Sequence, residues 1–451
     1  MKFYLKNSLA LIFILLIISC NKDVVLKPTN TFLEDDQNQV SVPIPLGAKE
    51  LLSIIKKEVG DIKDPKTYLL NNSSFGGDSR PKSNYLHLNK TDLIFTYLGL
   101  SIKGSGGGGG FMDGLEILDK ISEIDIYDIS SVEDDKLYIV AGGIGAPTAL
   151  KKNLDLLIKS IVASANELAT LKGKKLGGVL SVESGPANAM IAMLISKELK
   201  LPLINADGAG RSVPSLTNLS YAHENYSIDP TVLTSVTETP EIIKVLHPKD
   251  ASDAEKKIRT EISKIGQIGG LALWAQTGSE LKASSIVKNT YSEAFILGIY
   301  TYYAMFYDTE YLKMYFDHYG GYISSYMGIL TDIKLTQEEG FDKTKLTVIT
   351  PAEQNITIEA LNENLIFKDG NTAIVTAPNL ISYMVEYQPN NFIPLNNGDA
   401  DLMKLFRGRR IYIINSHANN RLYDYSETFL KDLKDAFNYD GPVEPPHYWK
   451  Y

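Results

Sequence analysis

The sequence predicts an α/β protein. Its N-terminal domain should contain parallel βαβ units and glycine-rich loops, and its C-terminal domain should be a β-rich, barrel- or sandwich-like domain. Two observations support this prediction. Between residues 92 and 215, short apolar runs alternate with segments whose apolar residues recur at helical spacing. From about Thr344 onward, short runs rich in β-forming residues dominate.

Three strands separated by two helices are expected in the N-terminal domain. The strands are "KLYIVAG" at 136–142, "LGGVLSV" at 176–182 and "LPLINA" at 201–206. Apolar spacing predicts one helix at about 150–168 and another at about 187–199. Strands and helices that alternate with short loops are typical of a parallel sheet with right-handed crossovers.

The second half of the chain is expected to be an α+β domain. Residues 254–306 are predicted to be mainly helical, most clearly in "SSIVKNTYSEAFILGIYTYYAMFY". Later runs such as "KLTVIT" and "RRIYIINS" predict a barrel- or sandwich-like module rather than further βαβ units. We therefore place the α/β domain at 89–215 and the C-terminal domain at 216–451.

The first twenty residues resemble a bacterial lipoprotein signal. Lys2 and Lys6 precede an unbroken apolar run from Leu9 to Ile18, which is too short to span a bilayer as a helix. The run leads into "IISC", and Cys20 is the only cysteine of the chain. We expect residues 1–19 to be cleaved and Cys20 to be acylated, for example with palmitate, which would anchor the protein to a membrane of the bacterial cell envelope. The alternative is an ordinary buried thiol.

Residues 20–47 are predicted to be a tether, because they are polar, contain prolines and have no periodicity. Residues 48–88 would form an N-terminal extension that includes one short helix. The formal net charge is −9, and loss of the two lysines in residues 1–19 would lower it to −11. An acidic chain without a basic tract is not expected to bind nucleic acid, so the expected partners are a small-molecule ligand and, through the lipid, a membrane.

The loops after the three strands form the candidate functional site. In an open parallel sheet these loops share one edge, and ligands bind there. The loops "GGIGAPT", "ESGPAN" and "DGAGRS" would supply free N–H groups at helix N-termini, which suit an anionic or strongly polar ligand atom. Four polar side chains lie in or beside these loops: Glu183, Asn188, Asp207 and Arg211.

Each of these four side chains also has a purely structural alternative. Glu183 could interact only with the helix dipole, and Asn188 could cap the same helix. Asp207 could be a turn residue, and Arg211 could be a surface cation or the ion-pair partner of Asp207. Because four such coincidences at one edge are less probable than one, we expect the four side chains to form a site.

Five consecutive glycines occupy residues 106–110, in "GSGGGGGFMDG". Both flanking segments predict amphipathic helices, so the run is either a flexible linker or a structured loop that needs positive φ angles. The loops match neither a Walker A sequence nor a dinucleotide fingerprint. The six histidines have no metal-ligand spacing, so the cofactor is undetermined; a divalent metal held by Asp, Glu and one His is an alternative that spacing does not indicate.

Seven motifs, taken in order, resemble the S-methyl thiohydantoin desulfurase family, formerly a hydantoinase-like domain of unknown function. The resemblance spans roughly residues 89–446. The motifs are "GSGGGGGF" (104–111), "GGIGAPTAL" (142–150), "ESGPANAMIAMLISKELKLPLINADGAGRSVPS" (183–215), "NTYSEAFILG" (289–298), "NENL" (362–365), "APNLI" (377–381) and "FNYDGPVEP" (437–445).

The resemblance implies an N-terminal α/β domain, a C-terminal β-rich domain and a cleft between them. It also implies that the glycine run is a structured loop at this cleft. The ligand-binding residues that it implies are Gly106, Gly107, Gly108, Gly109, Thr148 and Glu363.

The family's reaction is the attack of water on the carbon of an S-methyl isothiourea-type ring, with loss of methanethiol. This chemistry needs a base for the water and a donor for the ring nitrogen or the leaving sulfur. The leading hypothesis is therefore a lipid-anchored, hydrolase-like protein that acts on a small nitrogen heterocycle of the thiohydantoin or hydantoin type. Glu183 or Asp207 would be the base, and Asn188 and Arg211 would be orienting donors.

The alternative hypothesis is a catalytically inactive, lipid-anchored small-molecule binding protein that keeps the family pocket. Three acids that are usual in the family are replaced here by Gly110, Ser215 and Asn379. Retention of the four polar side chains around residues 183–211 favours the enzyme, and the three replacements favour the binding protein.

Overall fold

The computed structural model describes most of the chain from Leu46 to Val443. Cys20 and Thr148 lie outside the described residues, as do the predicted signal and nearly all of the predicted tether. Within the described part of the chain, no helix is long and apolar enough to cross a bilayer. The described residues are 46–60, 65–71, 84–145, 154–264, 268–338 and 341–443.

Among the described residues, ten strands precede residue 290, and eight of them form one mixed sheet. They are β1 (Tyr85–Leu88), β2 (Ile124–Tyr127), β3 (Leu137–Gly145), β4 (Leu176–Leu180), β5 (Leu203–Ile204), β6 (Ala206–Asp207), β7 (Thr231–Ser235), β8 (Ile242–Leu246), β9 (Ile268–Thr277) and β10 (Val287–Lys288). The order in this first sheet is β1-β2-β5-β4-β3-β9-β7-β8, while β6 and β10 pair separately.

Twelve helices are found in the described residues. They are α1 (Leu46–Val59), α2 (Pro65–Asn71), α3 (Lys90–Lys103), α4 (Phe111–Asp119), α5 (Leu154–Lys172), α6 (Asn188–Leu199), α7 (Ala251–Ile262), α8 (Gly278–Ala283), α9 (Thr290–Phe306), α10 (Glu310–Tyr319), α11 (Ala400–Lys404) and α12 (Ser426–Phe437). Because α1 begins at Leu46, the last two residues of the predicted tether are helical.

The predicted βαβ units are confirmed. β3 is parallel to β4, and β4 is parallel to β5, with α5 and α6 as the crossover helices. The other edge of β3 pairs antiparallel with β9, which brings β7 and β8 into the same sheet. The sheet therefore includes strands beyond residue 215, where the sequence prediction ended the α/β domain.

The C-terminal part contains the predicted β-rich module. Its strands form one antiparallel sheet in the order β15-β14-β13-β12-β11-β18-β16-β17. Register shifts in five of its strand pairs, which are typical of β-bulges, would let the sheet bend. These strands are β11 (Tyr322–Glu338), β12 (Phe341–Ile349), β13 (Asn355–Leu361), β14 (Glu363–Asp369), β15 (Thr372–Thr376), β16 (Leu380–Gln388), β17 (Asn391–Ile393) and β18 (Arg410–Ser416).

The two sheets are held together by shared hydrophobic packing. One core joins Val140 and Leu180 of the first sheet with Ile366 of the second and Phe429 of α12. Helices α3 and α9 also cross so closely that a Cβ on Gly99 would overlap the carbonyl of Ala294, so only glycine fits there. The two sheets are therefore joined by a common core, and α3 packs directly against α9.

Candidate active site

The glycine run is a buried, ordered loop between α3 and α4. Gly106, Gly108 and Gly109 have φ angles of 85°, 72° and 91°, a region that residues with side chains rarely adopt. A Cβ on Gly108 would also lie less than 3.0 Å from Oγ of Ser212 and from Cα of Gly185. The linker alternative is therefore wrong, and the loop needs glycine for both conformation and space.

The carbonyl groups of this loop accept hydrogen bonds from other segments. The oxygen of Gly108 accepts from the N–H groups of Ala187 (2.9 Å) and Asn188 (3.1 Å), at the start of α6. The oxygen of Gly106 accepts from the N–H of Asn397 (2.7 Å) in the C-terminal part. The N–H groups at the start of α6, which the sequence suggested for an anionic ligand, thus already have a backbone acceptor.

Glu183 follows β4, and both of its carboxylate oxygens accept hydrogen bonds. Oε1 accepts from Nδ2 of Asn188 at 2.7 Å, and Oε2 accepts from the backbone N–H of Val213 at 2.7 Å. The residue is only 5% exposed. Burial raises the pKa of Glu183 to about 8, although the two hydrogen bonds favour the ionised form. The side chain of Asn188 therefore orients Glu183 instead of capping its helix.

Glu363 begins β14 in the second sheet and is the second acid of the site. It is 4% exposed, and its Oε2 has no hydrogen-bond partner among the described residues. Burial, followed by the nearby charge of Glu183, raises the pKa of Glu363 well above its usual range. Because Glu183 accepts two N–H hydrogen bonds and Glu363 has an unpartnered oxygen, we expect Glu183 to ionise at a lower pH than Glu363.

A cleft lies beyond the carboxyl ends of β3 and β4, where the first sheet meets the second. Its volume is about 100 Å³, and because one buried water needs roughly 10–15 Å³, it can hold several waters or one small ring. Five of the residues suggested by the sequence line it, namely Gly108, Gly109, Glu183, Asn188 and Glu363. The edge chosen from the strand and loop order is thus the edge that carries the cleft.

Gly106 and Gly107 lie outside the lining of the cleft. A Cβ on Gly106 would meet the side chain of Asn364, and one on Gly107 would meet Glu363. These two glycines therefore give room for the side chains that support the floor of the cleft. Thr148, the remaining position implied by the resemblance, is not among the described residues.

Asp207 also lies outside the lining of the cleft and is engaged in a turn. Its Oδ1 accepts from the N–H groups of Ala209 (2.9 Å) and Gly210 (2.6 Å), and its Oδ2 accepts from the hydroxyl of Ser184 (2.6 Å). Burial raises its pKa. This geometry fits the structural alternative of a turn residue. The N–H groups of Ala209 and Gly210 donate to Asp207 and are therefore engaged within the loop.

Arg211 is fully buried behind the cleft and joins the two parts of the chain. Its Nη1 donates to the carbonyls of Pro378 (2.7 Å) and Asn379 (2.6 Å), its Nη2 to that of Asn364 (3.1 Å), and its Nε to that of Ser212 (2.8 Å). It is therefore neither a surface cation nor the ion-pair partner of Asp207. Burial lowers its pKa to about 10, a shift that the charges of the two cleft acids oppose.

The sequence interpretation missed a charged pair on α7 that also lines the cleft. Nε of Arg259 donates to Oε1 of Glu255 at 2.5 Å, and its guanidinium lies 3.8 Å from the ring centroid of Phe341. Their spacing of four residues on one amphipathic helix was a usable signal. Their position at the cleft could not be predicted from the sequence, because it depends on the tertiary packing of α7.

The three positions that differ from the family pattern have different surroundings. Ser215 lines the cleft, whereas the side-chain oxygen of Asn379 accepts from the hydroxyl of Tyr423 behind it. Gly110 precedes α4, where a carboxylate from the distant Asp399 accepts the first N–H groups of the helix. No cluster of three or more His, Cys, Asp or Glu side chains that could hold a metal ion occurs in the described ranges.

Comparisons with known proteins agree with this architecture. The model of the S-Me-THD-like N-terminal domain matches residues 91–245, and that of the S-Me-THD-like C-terminal domain matches residues 249–431. A crystal structure of a protein from Chromobacterium violaceum is similar, with a TM-score of 0.66 and 25% sequence identity over 80% of this chain and 99% of that chain. No curated protein matches this chain.

Proposed function

This chain belongs to the S-Me-THD-like family, and on that premise we propose that it hydrolyses a small nitrogen heterocycle of the thiohydantoin or hydantoin type in the cleft. The observation that carries the proposal is the pair of buried acids, Glu183 and Glu363, which line one small cleft from different parts of the chain. Their environments differ, which suits one acid to act as a base and the other to act as a proton donor.

Glu183 is the proposed general base. Two N–H donors hold its carboxylate, and a pKa of about 8 lies close to neutral pH, where a general base is most effective. Glu363 is the proposed general acid, because burial keeps it protonated and its Oε2 accepts no hydrogen bond from the described residues. A ring that presents a nitrogen to Glu363 would give this oxygen a partner.

Glu183 and Glu363 together supply and take back every proton that the proposed reaction transfers. As the oxygen of water bonds to the ring carbon that carries the S-methyl group, Glu183 takes a proton from the water and Glu363 protonates the ring nitrogen. When the C–S bond breaks, Glu183 returns its proton to the sulfur, which leaves as methanethiol. The new hydroxyl then gives its proton to Glu363 as the ring carbonyl forms, so both acids return to their starting states.

A lipid-anchored location in the bacterial cell envelope is part of the proposal. It is supported by the basic residues, the ten-residue apolar run and "IISC" at the start of the chain. An acylated Cys20 would attach the protein to the membrane surface, with the cleft in the attached globular body.

The second candidate function is small-molecule binding without turnover. It is favoured by the replacement of three acids of the family pattern, of which the one at Ser215 lies in the cleft itself. A screen of S-methyl thiohydantoins and hydantoins, with methanethiol release, ring opening and calorimetric binding as readouts, separates the two functions. Turnover supports the enzyme, and binding without turnover supports the binding protein. Absence of both turnover and binding would overturn both candidate functions.

A further inference from the structure

The segment Val213–Leu216 forms part of the wall of the cleft, and its backbone connects two carboxylates. At one end, the N–H of Val213 donates to Oε2 of Glu183 at 2.7 Å. Three residues later, the N–H of Leu216 donates to Oε2 of Glu255 at 2.9 Å. All four residues of the segment line the cleft, as does Glu255. The donor to Glu183 is therefore linked through the backbone to a carboxylate on α7.

The surroundings of Glu255 suit it to hold this segment in place. Its helix, α7, is anchored in the core shared by the two sheets through three buried residues, Ala254, Ile258 and Ile262. Oε1 of Glu255 accepts from Nε of Arg259 at 2.5 Å, and the guanidinium of Arg259 lies 3.8 Å from the ring centroid of Phe341 in β12. The carboxylate is therefore oriented by a cation that is itself held by packing.

Other contacts hold the chain on either side of the segment. Before it, the hydroxyl of Ser212 donates to the carbonyl of Ser184. After it, Nδ2 of Asn218 donates to Oγ1 of Thr428 on α12 at 3.1 Å. Between these two points the chain is tied to α7 through Glu255, so a shorter side chain at this position should let the wall relax away from the cleft acids.

From this geometry we propose that Glu255 is a positioning residue for Glu183. Its carboxylate holds the backbone of Val213–Leu216 where the N–H of Val213 donates to Glu183, and it acts through this segment rather than on the substrate. The role rests on the proposed function, in which Glu183 is the base. The hydrogen bond itself belongs to the folded protein, so it can be tested without turnover.

Loss of this position has a measurable effect on Glu183. The hydrogen bond from Val213 favours the ionised carboxylate and lowers the pKa of Glu183 more than the hydrogen bond from Asn188 does. Because a charge-assisted hydrogen bond changes such an equilibrium by about tenfold, its loss should raise the pKa of Glu183 from about 8 to about 9. Removal of the negative charge of Glu255 by itself would act in the opposite direction and lower this pKa.

The other charged groups around Glu183 are left in place by changes at Glu255. Asp207 raises the pKa of Glu183, and Arg211 lowers it. Glu363 is the second acid of the cleft, and its charge is coupled to that of Glu183. A rise in the pKa of Glu183 in a variant that keeps the charge at position 255 would therefore report the position of the backbone donor.

The experiment follows the carboxyl carbon of Glu183 by NMR during a pH titration of the full-length protein, labelled with ¹³C in its glutamate side chains. The signal is identified by its absence in Glu183→Gln. Glu255→Asp keeps the charge but withdraws the acceptor by one methylene, and Glu255→Ala removes the acceptor. We expect both variants to raise the pKa of Glu183 to about 9. Glu255→Gln keeps an acceptor oxygen for Leu216 and should leave this pKa close to that of the wild type.

Glu224→Ala is the matched control. Like Glu255, Glu224 accepts a backbone N–H, that of Ser285 at 3.0 Å, and pairs with an arginine, Arg421, at 3.3 Å. The two glutamate side chains are also similarly buried, at 11% and 15% exposure. Glu224 lies outside the lining of the cleft, so its replacement should not change the pKa of Glu183.

An unchanged or lower pKa of Glu183 in Glu255→Asp would overturn the positioning role, and this variant decides the question even if Glu255→Ala does not fold. Equal rises in Glu255→Gln or Glu224→Ala would also overturn it. With S-methyl thiohydantoins, the pH at which kcat/KM rises should shift with the pKa of Glu183. Absence of turnover and binding with every ring would overturn the proposed function, whereas the titration would still test the positioning of Glu183.

Discussion

Glu183 and Glu363 reach the same cleft from opposite parts of the chain, one from the loop after β4 and the other from the first residue of β14. Glu183 has two N–H partners, whereas Oε2 of Glu363 has no partner in the described part of the chain. The pair is therefore asymmetric before any ligand arrives. We therefore expect the two acids to have different roles in turnover.

Replacing either acid by its amide should reduce turnover with little effect on folding. Glu183→Gln removes the proposed base and Glu363→Gln the proposed acid, and loss of such a group typically costs about 10²- to 10⁴-fold in rate. The wild-type kcat/KM should also rise with pH through about 8, where Glu183 ionises. Glu359→Gln is the control, since Glu359 pairs with Lys368 outside the cleft. Equal rates for all three variants and the wild type would contradict these assignments.

Stability should depend on pH because burial raises the pKa of Glu183 from 4.5 to about 8. Between these values the folded protein keeps a proton that the unfolded chain has lost, so the free energy of unfolding falls as pH rises from about 4.5 to about 8. Because glutamine does not titrate in this range, the Glu183→Gln protein should show a smaller fall in the free energy of unfolding. Urea unfolding of both proteins at pH 5, 7 and 9 measures the difference, and parallel pH profiles would argue against it.

Substitution in the glycine loop should destabilise the protein by more than backbone strain alone. Gly108→Ala places a Cβ at positive φ and against Ser212 and Gly185, so we expect a loss of roughly 3 kcal/mol or more. Gly370→Ala is the matched control: φ is 57°, but a Cβ there would meet no described atom within 4 Å, so the loss should be about 1–2 kcal/mol. Equal losses in denaturant unfolding would contradict the close packing of the loop.

Asp399 should stabilise α4 across the boundary between the two sheets. Its carboxylate accepts from the N–H groups of Phe111 (2.6 Å) and Met112 (3.1 Å), where Gly110 offers no side chain of its own. Asp399→Asn should therefore lower the free energy of unfolding by about 1–2 kcal/mol. Asp401→Asn, at an exposed ion pair with Lys404, should change it by less than about 0.5 kcal/mol. A comparable effect of the two variants would refute the cap.

Cys20 should carry the lipid anchor. Cys20→Ala should release the protein from the membrane fraction or leave it unprocessed at higher mass, because acylation and cleavage both need the cysteine. Fractionation and intact-mass measurement of the two proteins test this directly. Identical fractionation and identical mass would refute the anchor.

The sequence by itself determined the βαβ units and the edge of the sheet that carries the cleft. Apolar periodicity is a local property, and the loops after parallel strands must share an edge, so Glu183 and Asn188 could be placed near the site without coordinates. The same local logic predicted a β-rich C-terminal part. The glycine run needed more than local sequence, since linker and structured loop have the same composition.

Only the tertiary structure decided what each polar side chain does there. Glu183 and Glu363 are 180 residues apart, and Arg211 donates to carbonyls more than 150 residues away. Such contacts depend on how two sheets pack, and nothing in the local pattern encodes them. For the same reason Asp207 could not be distinguished from a base until its carboxylate was found in a turn, and Arg259 could not be assigned to the cleft. Local patterns set the elements and the edge, whereas long-range packing selected the side chains that line the cleft.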